Sequence, residues 1–255
     1  MTAEPERSQP IVRARPHPTL GDFYSDDAAR QAWVDGLFDR TAPAYDRTCA
    51  IMSLGLGRRH RRRVLARFGV GPGKTVLDVA TGTGQIAVEA LTLGVRPHAL
   101  IGLDPSAGML AAHACRTRMP LLRGVGERLP FAEARFDFVV MGYALRHVAD
   151  LDAAFVEYRR VLRPGGRVIL LEIVRPRTAV GRALVRNYLL RVVPALAWPF
   201  GLRRAAFELM DYFWATIEAC VPGEQIVAAL ANAGFNAVRR DVLGPLCEYS
   251  GASPD

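Results

Sequence analysis

The segment VLDVATGTGQIA, residues 76–87, places the acid Asp78 and the glycines Gly82 and Gly84 between an apolar run and a helical pattern. Glycine is favoured where a backbone must approach a ligand closely or adopt a positive φ. The N-terminus of the following helix would offer free N–H groups and the positive end of a dipole. The spacing also satisfies the GxGxxA dinucleotide fingerprint. Because that fingerprint alone is weak, a plain strand-to-helix turn remains the alternative.

A second acid, Asp104, lies twenty residues beyond Gly84 at the end of the apolar run ALIGLD. A carboxylate at this position can accept hydrogen bonds from both hydroxyls of a ribose. NAD and S-adenosylmethionine both contain that ribose. Asp78 favours S-adenosylmethionine, because an acid there would repel a pyrophosphate and attract the ammonium group of a methionine moiety.

Apolar runs and helical patterns alternate from Lys74 onward, and this alternation predicts an α/β fold with a parallel sheet covered on both faces. The predicted strands are residues 75–80, 99–104, 121–124, 136–141 and 168–174. The predicted helices between them are residues 85–93, 106–116 and 151–162. A helical insertion is expected at 178–220, followed by a helix at 223–233 and closing strands at 235–243 and 246–250.

Upstream of the sheet, residues 1–28 have no periodicity and are predicted to be a flexible arm. Helices are expected at 29–40 and 56–68. We expect residues 29–255 to form a single domain. The composition, 50% hydrophobic and 23% charged, excludes a disordered or fibrous chain.

The net charge is +8, and Lys74 is the sole lysine beside 32 arginines. The cluster from Arg58 to Arg63 suggests either contact with an anionic membrane surface or a solvated face. It contains no interleaved aromatic residues, so nucleic-acid binding is not expected. His17, His60, His98 and His113 have no metal-ligand spacing and are expected at the surface, so no metal site is predicted.

The four cysteines form no CxxC pair, which favours a reducing, cytoplasmic environment over a disulfide framework. No apolar leader occurs at the N-terminus, so secretion is not expected. No run of 18 apolar residues occurs, so the chain is not expected to span a membrane.

The order of five segments resembles that of a known family. VLDVATGTG, LDPSAGML, GERLPF, FDFVVMGYALRHV and YRRVLRPGGRVILLEIVRP are similar to the successive motifs of class I S-adenosylmethionine-dependent methyltransferases. With FDRTAPAYD, IMSLGLGRRHRR and MDYFWATIEACVP, the chain most resembles the UbiE-type ubiquinone/menaquinone C-methyltransferases over roughly residues 37–240. The resemblance implies a Rossmann-like sheet of seven strands, the last antiparallel, with a helical lid at residues 29–70 and the insertion at 178–220.

The resemblance also assigns residues to the cofactor S-adenosylmethionine. It implies that Asp78, Gly82 and Gly84, with Ala80 in the same turn, hold the methionine end and that Asp104 holds the ribose. Residues implied near the adenine and along the post-strand segment are Pro105, Met109, Gly126, Glu127 and Tyr143. On the substrate side it implies Tyr45 in the lid and Arg146, whose family counterpart activates the substrate.

Two departures concern the substrate. His147 stands where the family usually has asparagine, and Thr48-Cys49 stands where the lid usually has methionine-asparagine. His147 is a candidate general base or a hydrogen-bonded residue at a strand end. Arg146 either lowers the pKa of a substrate hydroxyl or forms an ion pair with Asp150 or Asp152.

The sequence thus predicts methyl transfer from S-adenosylmethionine to a hydroxylated aromatic or quinol-like small molecule. The acceptor atom is carbon, oxygen or nitrogen, the last two as in enzymes of specialised metabolism. The alternatives are a non-methylating S-adenosylmethionine-binding cyclase and, less favoured, an NAD-dependent oxidoreductase. The aromatic insertion is expected to roof an apolar substrate cavity or to form a homodimer interface.

Overall fold

The computed structural model describes residues 14–255. Its centre is a sheet of seven strands in the order β3-β2-β1-β4-β5-β7-β6. The strands are β1 Val76–Val79, β2 Leu100–Asp104, β3 Leu121–Arg123, β4 Phe136–Gly142, β5 Leu162–Ile173, β6 Asn236–Leu243 and β7 Leu246–Ala252. The first five pair in parallel, whereas β7 runs antiparallel to both β5 and β6. This arrangement confirms the predicted class and the antiparallel last strand.

The described residues contain nine α-helices. They are α1 Asp27–Met52, α2 Leu56–Arg67, α3 Gln85–Thr92, α4 Ala107–Ala112, α5 Leu151–Val161, α6 Ala179–Asn187, α7 Val193–Ala197, α8 Arg203–Ala219 and α9 Gly223–Asn232. Short 3₁₀ turns lie at Pro97–Ala99, Leu145–His147 and Trp198–Phe200, and a π-helical turn at Tyr188–Val192 joins α6 to α7.

The central strands are buried on both faces, as their near-continuous apolar sequence requires. Every residue of β1 and β2 is buried. One face packs on α5 and α9 through residues such as Phe155, Tyr158 and Leu230. The other packs on α2 and α3 through Leu65 and Ile86.

A third apolar cluster joins α1 to the insertion, and Ile173 at the end of β5 packs against it. Val34 and Leu37 of α1 pack with Val193 of α7 and with Leu209 and Met210 of α8. Helix α1 and the insertion therefore form one packed layer, whereas α2 packs on the sheet.

The structure corrects the arm expected at residues 1–28. Residues 1–13 lie outside the described part of the chain. From Ala14 onward the segment is attached to the domain, since the Ala14 and Pro16 carbonyls accept hydrogen bonds from the amides of Leu151 and Val221. His17, expected at the surface, is buried. Its two ring nitrogens are hydrogen-bonded to the Pro18 carbonyl and to the Arg30 guanidinium, which compensates for the loss of water. Low apolar periodicity hid these long-range contacts.

Element bounds also differ from the sequence-based expectation. Helix α1 continues from the expected end at Arg40 through Pro43 to Met52, because tertiary packing of its apolar side outweighs the loss of one backbone hydrogen bond at proline. Helix α4 ends at Ala112, four residues early, where the His113 ring accepts a hydrogen bond from the Cys115 amide.

Candidate active site

A cleft lies at the carboxyl ends of β1, β2 and β4, with α1 across its mouth. It encloses about 770 Å³ of empty space, open solvent at the mouth included. Ligands in open parallel sheets bind at this edge, where the strand order reverses between β1 and β4. The predicted site residues on its wall are Tyr45, Ala80, Gly82, Asp104, Pro105, Met109, Gly126, Glu127, Tyr143 and His147. Asp78, Gly84 and Arg146 are the predicted site residues that do not border it.

The turn after β1 is the glycine-containing loop of the sequence. Ala80, Gly82 and Gly84 have φ values of 53°, 56° and 89°. Glycine suits the last two, whereas Ala80 keeps a conformation that a side chain disfavours, and it does so directly on the cleft wall. Gly84 begins α3, and a Cβ on it would lie 2.5 Å from Cε1 of His113.

Asp78 fixes this loop from behind. Its Oδ2 accepts a hydrogen bond of 2.6 Å from Thr81 Oγ1, which also contacts Nε2 of His113 at 3.0 Å. Burial raises the pKa of Asp78 to about 7. Asp78 therefore positions the loop rather than lining the cleft, and His113, expected at the surface, is buried in the same network. The motif places an acid here, but the sequence does not show that its side chain turns inward.

Asp104 ends β2 at the floor of the cleft. Oδ2 accepts a hydrogen bond from the Gly82 amide at 2.7 Å, and Oδ1 accepts one from the Ser106 amide at 2.9 Å. Burial raises its pKa to about 6 against the effect of these two bonds. Each oxygen keeps a free lone pair, so the carboxylate can still accept the hydroxyls of a ribose.

Two carboxylates of α1 attach the lid to the loops below it. Asp39 Oδ1 accepts hydrogen bonds from Ser106 Oγ at 2.6 Å and from the Gly108 amide at 2.8 Å. Asp46 Oδ1 accepts them from Thr83 Oγ1 at 2.5 Å and Gln85 Nε2 at 2.7 Å. The lid is thus fastened to both loops that the sequence assigns to the cofactor.

The lid also supplies wall residues that the sequence analysis missed. Gln31 and Asp35 line the cleft, with Gln31 Nε2 donating to Asp35 Oδ1 at 2.7 Å. Burial raises the pKa of Asp35. A helical repeat of polar residues beside Val34 and Phe38 was the available signal, since these positions share one side of α1.

An aromatic wall closes the cleft beneath the lid. His147 stacks on Tyr212 of α8 with centroids 5.3 Å apart and meets the edge of Phe38 at 5.2 Å. Neither ring nitrogen of His147 has a hydrogen-bond partner among the described residues. Burial, and then the charges of Arg146 and its neighbours, hold the pKa of His147 well below its usual range, so the imidazole is neutral near pH 7.

Tyr45 completes that wall from the lid. Burial holds the pKa of its phenol well above the ordinary value, with the neighbouring Cys49 contributing. Burial likewise raises the pKa of Cys49 to about 12. Both groups are therefore neutral near pH 7, and Tyr45 can act as a hydrogen-bond donor but not as an anion.

Arg146 lies behind the wall, fully buried. Nη1 forms an ion pair with Glu172 of β5, Nε donates to Thr216 Oγ1 at 3.2 Å, and the guanidinium lies over the Phe213 ring. The ion pair expected with Asp150 or Asp152 is wrong, because the 3₁₀ turn directs the side chain toward β5. Arg146 does not line the cleft, so its guanidinium lies out of reach of a ligand bound there.

The far end of the cleft is formed by the segment after β3 and by the start of α4. Gly126 lies against Val79 and Tyr158, and a Cβ there would lie 3.2 Å from Cγ1 of Val79. Oε1 of Glu127 accepts a hydrogen bond of 2.6 Å from the Ala149 amide. Met109 is buried with its side chain on the cleft wall. This end of the cleft is therefore an apolar slot with one acid beside it.

The charge of the cleft is opposite to that of the chain. Among the described residues its wall carries three carboxylates, Asp35, Asp104 and Glu127, and neither lysine nor arginine. A pyrophosphate would meet no cationic partner there, whereas a cationic ligand would find complementary charge. The left-handed backbone at Ala80 and the free lone pairs of Asp104 also fit S-adenosylmethionine.

The sheet order, the antiparallel β7 and this acidic cleft define a class I S-adenosylmethionine-dependent methyltransferase. The model of the ubiE/COQ5 methyltransferase family matches residues 26–246, and the chain belongs to that family. The predictions of the family, the methyltransferase activity and the cofactor are thereby confirmed.

Curated relatives agree with this assignment. The chain is 37% identical over 212 residues to a demethylmenaquinone methyltransferase of Mycolicibacterium paratuberculosis (strain ATCC BAA-968 / K-10), which covers 83% of this chain and 89% of the relative. It is 36% identical over 212 residues to the enzyme of that name from Mycobacterium tuberculosis (strain ATCC 25618 / H37Rv), covering 83% and 88%.

Solved structures share the fold at low sequence identity. A methyltransferase of Aquifex aeolicus that depends on S-adenosylmethionine has a TM-score of 0.56 at 16% identity, covering 81% of this chain and 98% of its own. Phosphoethanolamine N-methyltransferase 2 of Haemonchus contortus, solved with S-adenosyl-L-methionine, has a TM-score of 0.57 at 16% identity, covering 77% and 53%.

Proposed function

We propose that this enzyme methylates a ring carbon of a quinol-like small molecule, the carbon next to a ring hydroxyl. The observation that carries the proposal is the shape of the cleft. Its acidic floor lies at the sheet, and its upper wall is aromatic, formed by Phe38, Tyr45 and His147. The names of the curated relatives at 36–37% identity support a quinone-type acceptor.

The cofactor supplies a methyl group on a sulfonium. Asp104 would hold the ribose hydroxyls, the backbone from Ala80 to Gly82 would hold the methionine end, and Met109 and Gly126 would enclose the adenine. Asp35 faces the same cleft and would favour the positive charge of the donor over the neutral product. Positioning of the two reactants supplies much of the acceleration in such a displacement.

His147 would orient the acceptor. Its neutral imidazole carries an unpaired nitrogen into the cleft wall, where it can accept a hydrogen bond from a ring hydroxyl. A hydroxyl so polarised donates electron density to the neighbouring ring carbon. That carbon would take the methyl group as its bond to sulfur breaks, leaving S-adenosylhomocysteine, and the proton displaced from the ring carbon would pass to solvent at the open mouth of the cleft. Burial first, and then the nearby cations Arg146 and Arg30, oppose proton uptake by the imidazole. The role is therefore that of a hydrogen-bond acceptor more than of a strong base.

Several finer expectations belong to the same proposal. Residues 29–70 would serve as a lid and 178–220 as the roof of the acceptor site. A cytoplasmic location fits the four free thiols, which a reducing compartment preserves. Among the described residues, no helix has the length and apolarity needed to cross a bilayer.

Incubation with S-adenosylmethionine carrying a labelled methyl group tests the proposal. The acceptors would be a demethylated naphthoquinol, a benzoquinol and a simple phenol, each kept reduced. We expect label on a ring carbon of a quinol, located by NMR of the product. Label on oxygen would replace the proposal with an O-methyltransferase, and cofactor binding without any product would favour the non-methylating alternative.

A further inference from the structure

The insertion carries an unusual combination of charge and exposed apolar surface. Between Glu172 and Glu208 the chain contains seven arginines and no acidic residue. The residues with large exposed apolar side chains in this stretch are Val180, Leu184, Val192, Leu196, Trp198, Phe200 and Phe207. Exposed apolar side chains concentrated in one segment mark a binding surface.

The two sides of the insertion differ sharply. Val193 and Ala197 of α7 are fully buried against the lid, whereas Leu196 is 47% exposed and Trp198, at the tip, is 68% exposed. Phe207 on α8 is 51% exposed, while Leu209 and Met210 on its other side are buried. The outward side therefore carries apolar side chains that no other described residue covers.

Arginines surround this outward side. A depression of about 1470 Å³, open solvent included, is lined by Trp198 and Phe207 together with Arg191, Arg203 and Arg204. The Arg203 guanidinium lies 5.9 Å from the Trp198 ring centre. We call these five residues, with the neighbouring Phe200, the insertion face. Within residues 14–255, no carboxylate lines the depression. The insertion face therefore attracts anions.

We propose that the insertion face docks on an anionic lipid surface. Tryptophan and phenylalanine at the level of the headgroups, with arginines toward the phosphates, are the side chains that amphipathic interfacial segments use. A protein partner of matched acidity would need acids spaced to meet each arginine, whereas a lipid surface supplies phosphates wherever they fall.

The arginines of α2 are less suited to this role. Arg58 and Arg62 both hydrogen-bond the carboxylate of Glu89, at 2.7 and 2.6 Å, and Arg67 is paired with Glu248. Part of the charge expected to contact a membrane is therefore neutralised within the fold. We therefore assign the docking surface to the insertion and not to α2.

Docking there would bring the lipid surface to the acceptor side of the cleft. Helix α8 carries Phe207 outward at its start, and one to two turns later carries Tyr212 and Phe213 against His147. This link to an apolar acceptor rests on the proposed function. The docking itself does not, because it requires neither the cofactor nor methyl transfer.

Vesicle flotation of the full chain tests the proposal without any methyl donor. We expect flotation with vesicles of phosphatidylcholine and phosphatidylglycerol, and much less with phosphatidylcholine alone. The variant R191Q/R203Q/R204Q removes three charges from the insertion face, and its partition coefficient should fall on the order of a hundredfold. The matched control R59Q/R63Q/R128Q removes three exposed arginines elsewhere and should float nearly as the wild type does.

A second variant, W198S, tests the apolar part and should lower partitioning while leaving the far-ultraviolet circular dichroism unchanged. Brominated lipid should quench the fluorescence of the wild type and not that of W198S. The proposal is overturned if the wild type does not float, or if R191Q/R203Q/R204Q floats as well as the wild type. It is also overturned if R59Q/R63Q/R128Q loses as much partitioning as R191Q/R203Q/R204Q. So would a wild-type dimer that W198S splits without any effect on flotation, since the face would then bind a second copy.

Discussion

At the residue scale, Asp104 is the carboxylate to which we assign binding of the cofactor ribose. Its two oxygens join the glycine loop to the start of α4 and keep lone pairs for a ribose. Replacing Asp104 with asparagine should weaken binding of S-adenosylhomocysteine by roughly ten- to a hundredfold, the cost of losing charge-assisted hydrogen bonds. Calorimetric titration measures it, with E133Q, an exposed acid outside the cleft, as control; unchanged affinity in D104N would remove Asp104 from the site.

The pH dependence of that affinity follows from the same carboxyl. Burial raises the pKa of Asp104 to about 6, with Asp35 and Asp39 adding to the shift. Below that pH the group is protonated and accepts hydrogen bonds poorly, so affinity for S-adenosylhomocysteine should fall as the pH drops from 7.5 to 5. Stability moves the other way for this group. A pKa raised in the folded state favours folding at low pH and opposes it as the pH rises through about 6.

His147 separates two roles that the sequence left open. If it accepts a hydrogen bond, H147N should keep a substantial part of kcat because an amide oxygen can also accept one, whereas H147F should lose it. Cofactor affinity should stay the same in both variants. Steady-state kinetics and calorimetry provide the two readouts, and equal loss of kcat in H147N and H147F would show that proton uptake by the imidazole is required.

At the element scale, the turn between β1 and α3 packs closely against the imidazole of His113 at Gly84. Gly82 has open space where a Cβ would stand, whereas Gly84 meets the imidazole there. The loop holds both positions in the left-handed region, where an alanine costs about 1–2 kcal/mol. G84A should therefore lower the midpoint of thermal unfolding more than G82A, and H113A should partly restore G84A. An equal effect of G82A and G84A would contradict the contact.

The 3₁₀ turn after β4 depends on Arg146. R146A would leave Glu172 buried without its cation, which costs about 3–5 kcal/mol when one partner of a buried pair is removed. Urea denaturation should show that loss, and E172Q should show a smaller one because the amide can still accept from the guanidinium. A stable R146A with kcat lost would instead return Arg146 to substrate activation.

Elements were predicted more accurately than side-chain directions. Alternating apolar runs identified β1, β2 and β4, since buried parallel strands have a distinctive composition. The length of α1 was missed because its apolar side faces the insertion, some 150 residues further along the chain, and no local pattern reports that contact. Asp78 and Arg146 were assigned by motif to the site, yet both point into the interior, which depends on χ angles set by packing.

At the scale of the whole molecule, the positive charge and the acidic cleft lie in different places. The chain carries +8, but among the described residues the cleft wall has carboxylates and no arginine or lysine. The excess of arginine is found instead on outer surfaces such as the insertion face. A cationic donor is selected by the cleft, and the outer charge remains available for an anionic surface.

The measurement that tests this account most directly is a calorimetric comparison of S-adenosylmethionine, S-adenosylhomocysteine and NAD with the full chain. We predict that the first two bind at one site per chain and compete with each other, and that NAD neither binds nor displaces them, because its pyrophosphate would enter the acidic cleft without a cation. Binding of NAD with displacement of S-adenosylhomocysteine would contradict the assignment of the cleft to a methyl donor.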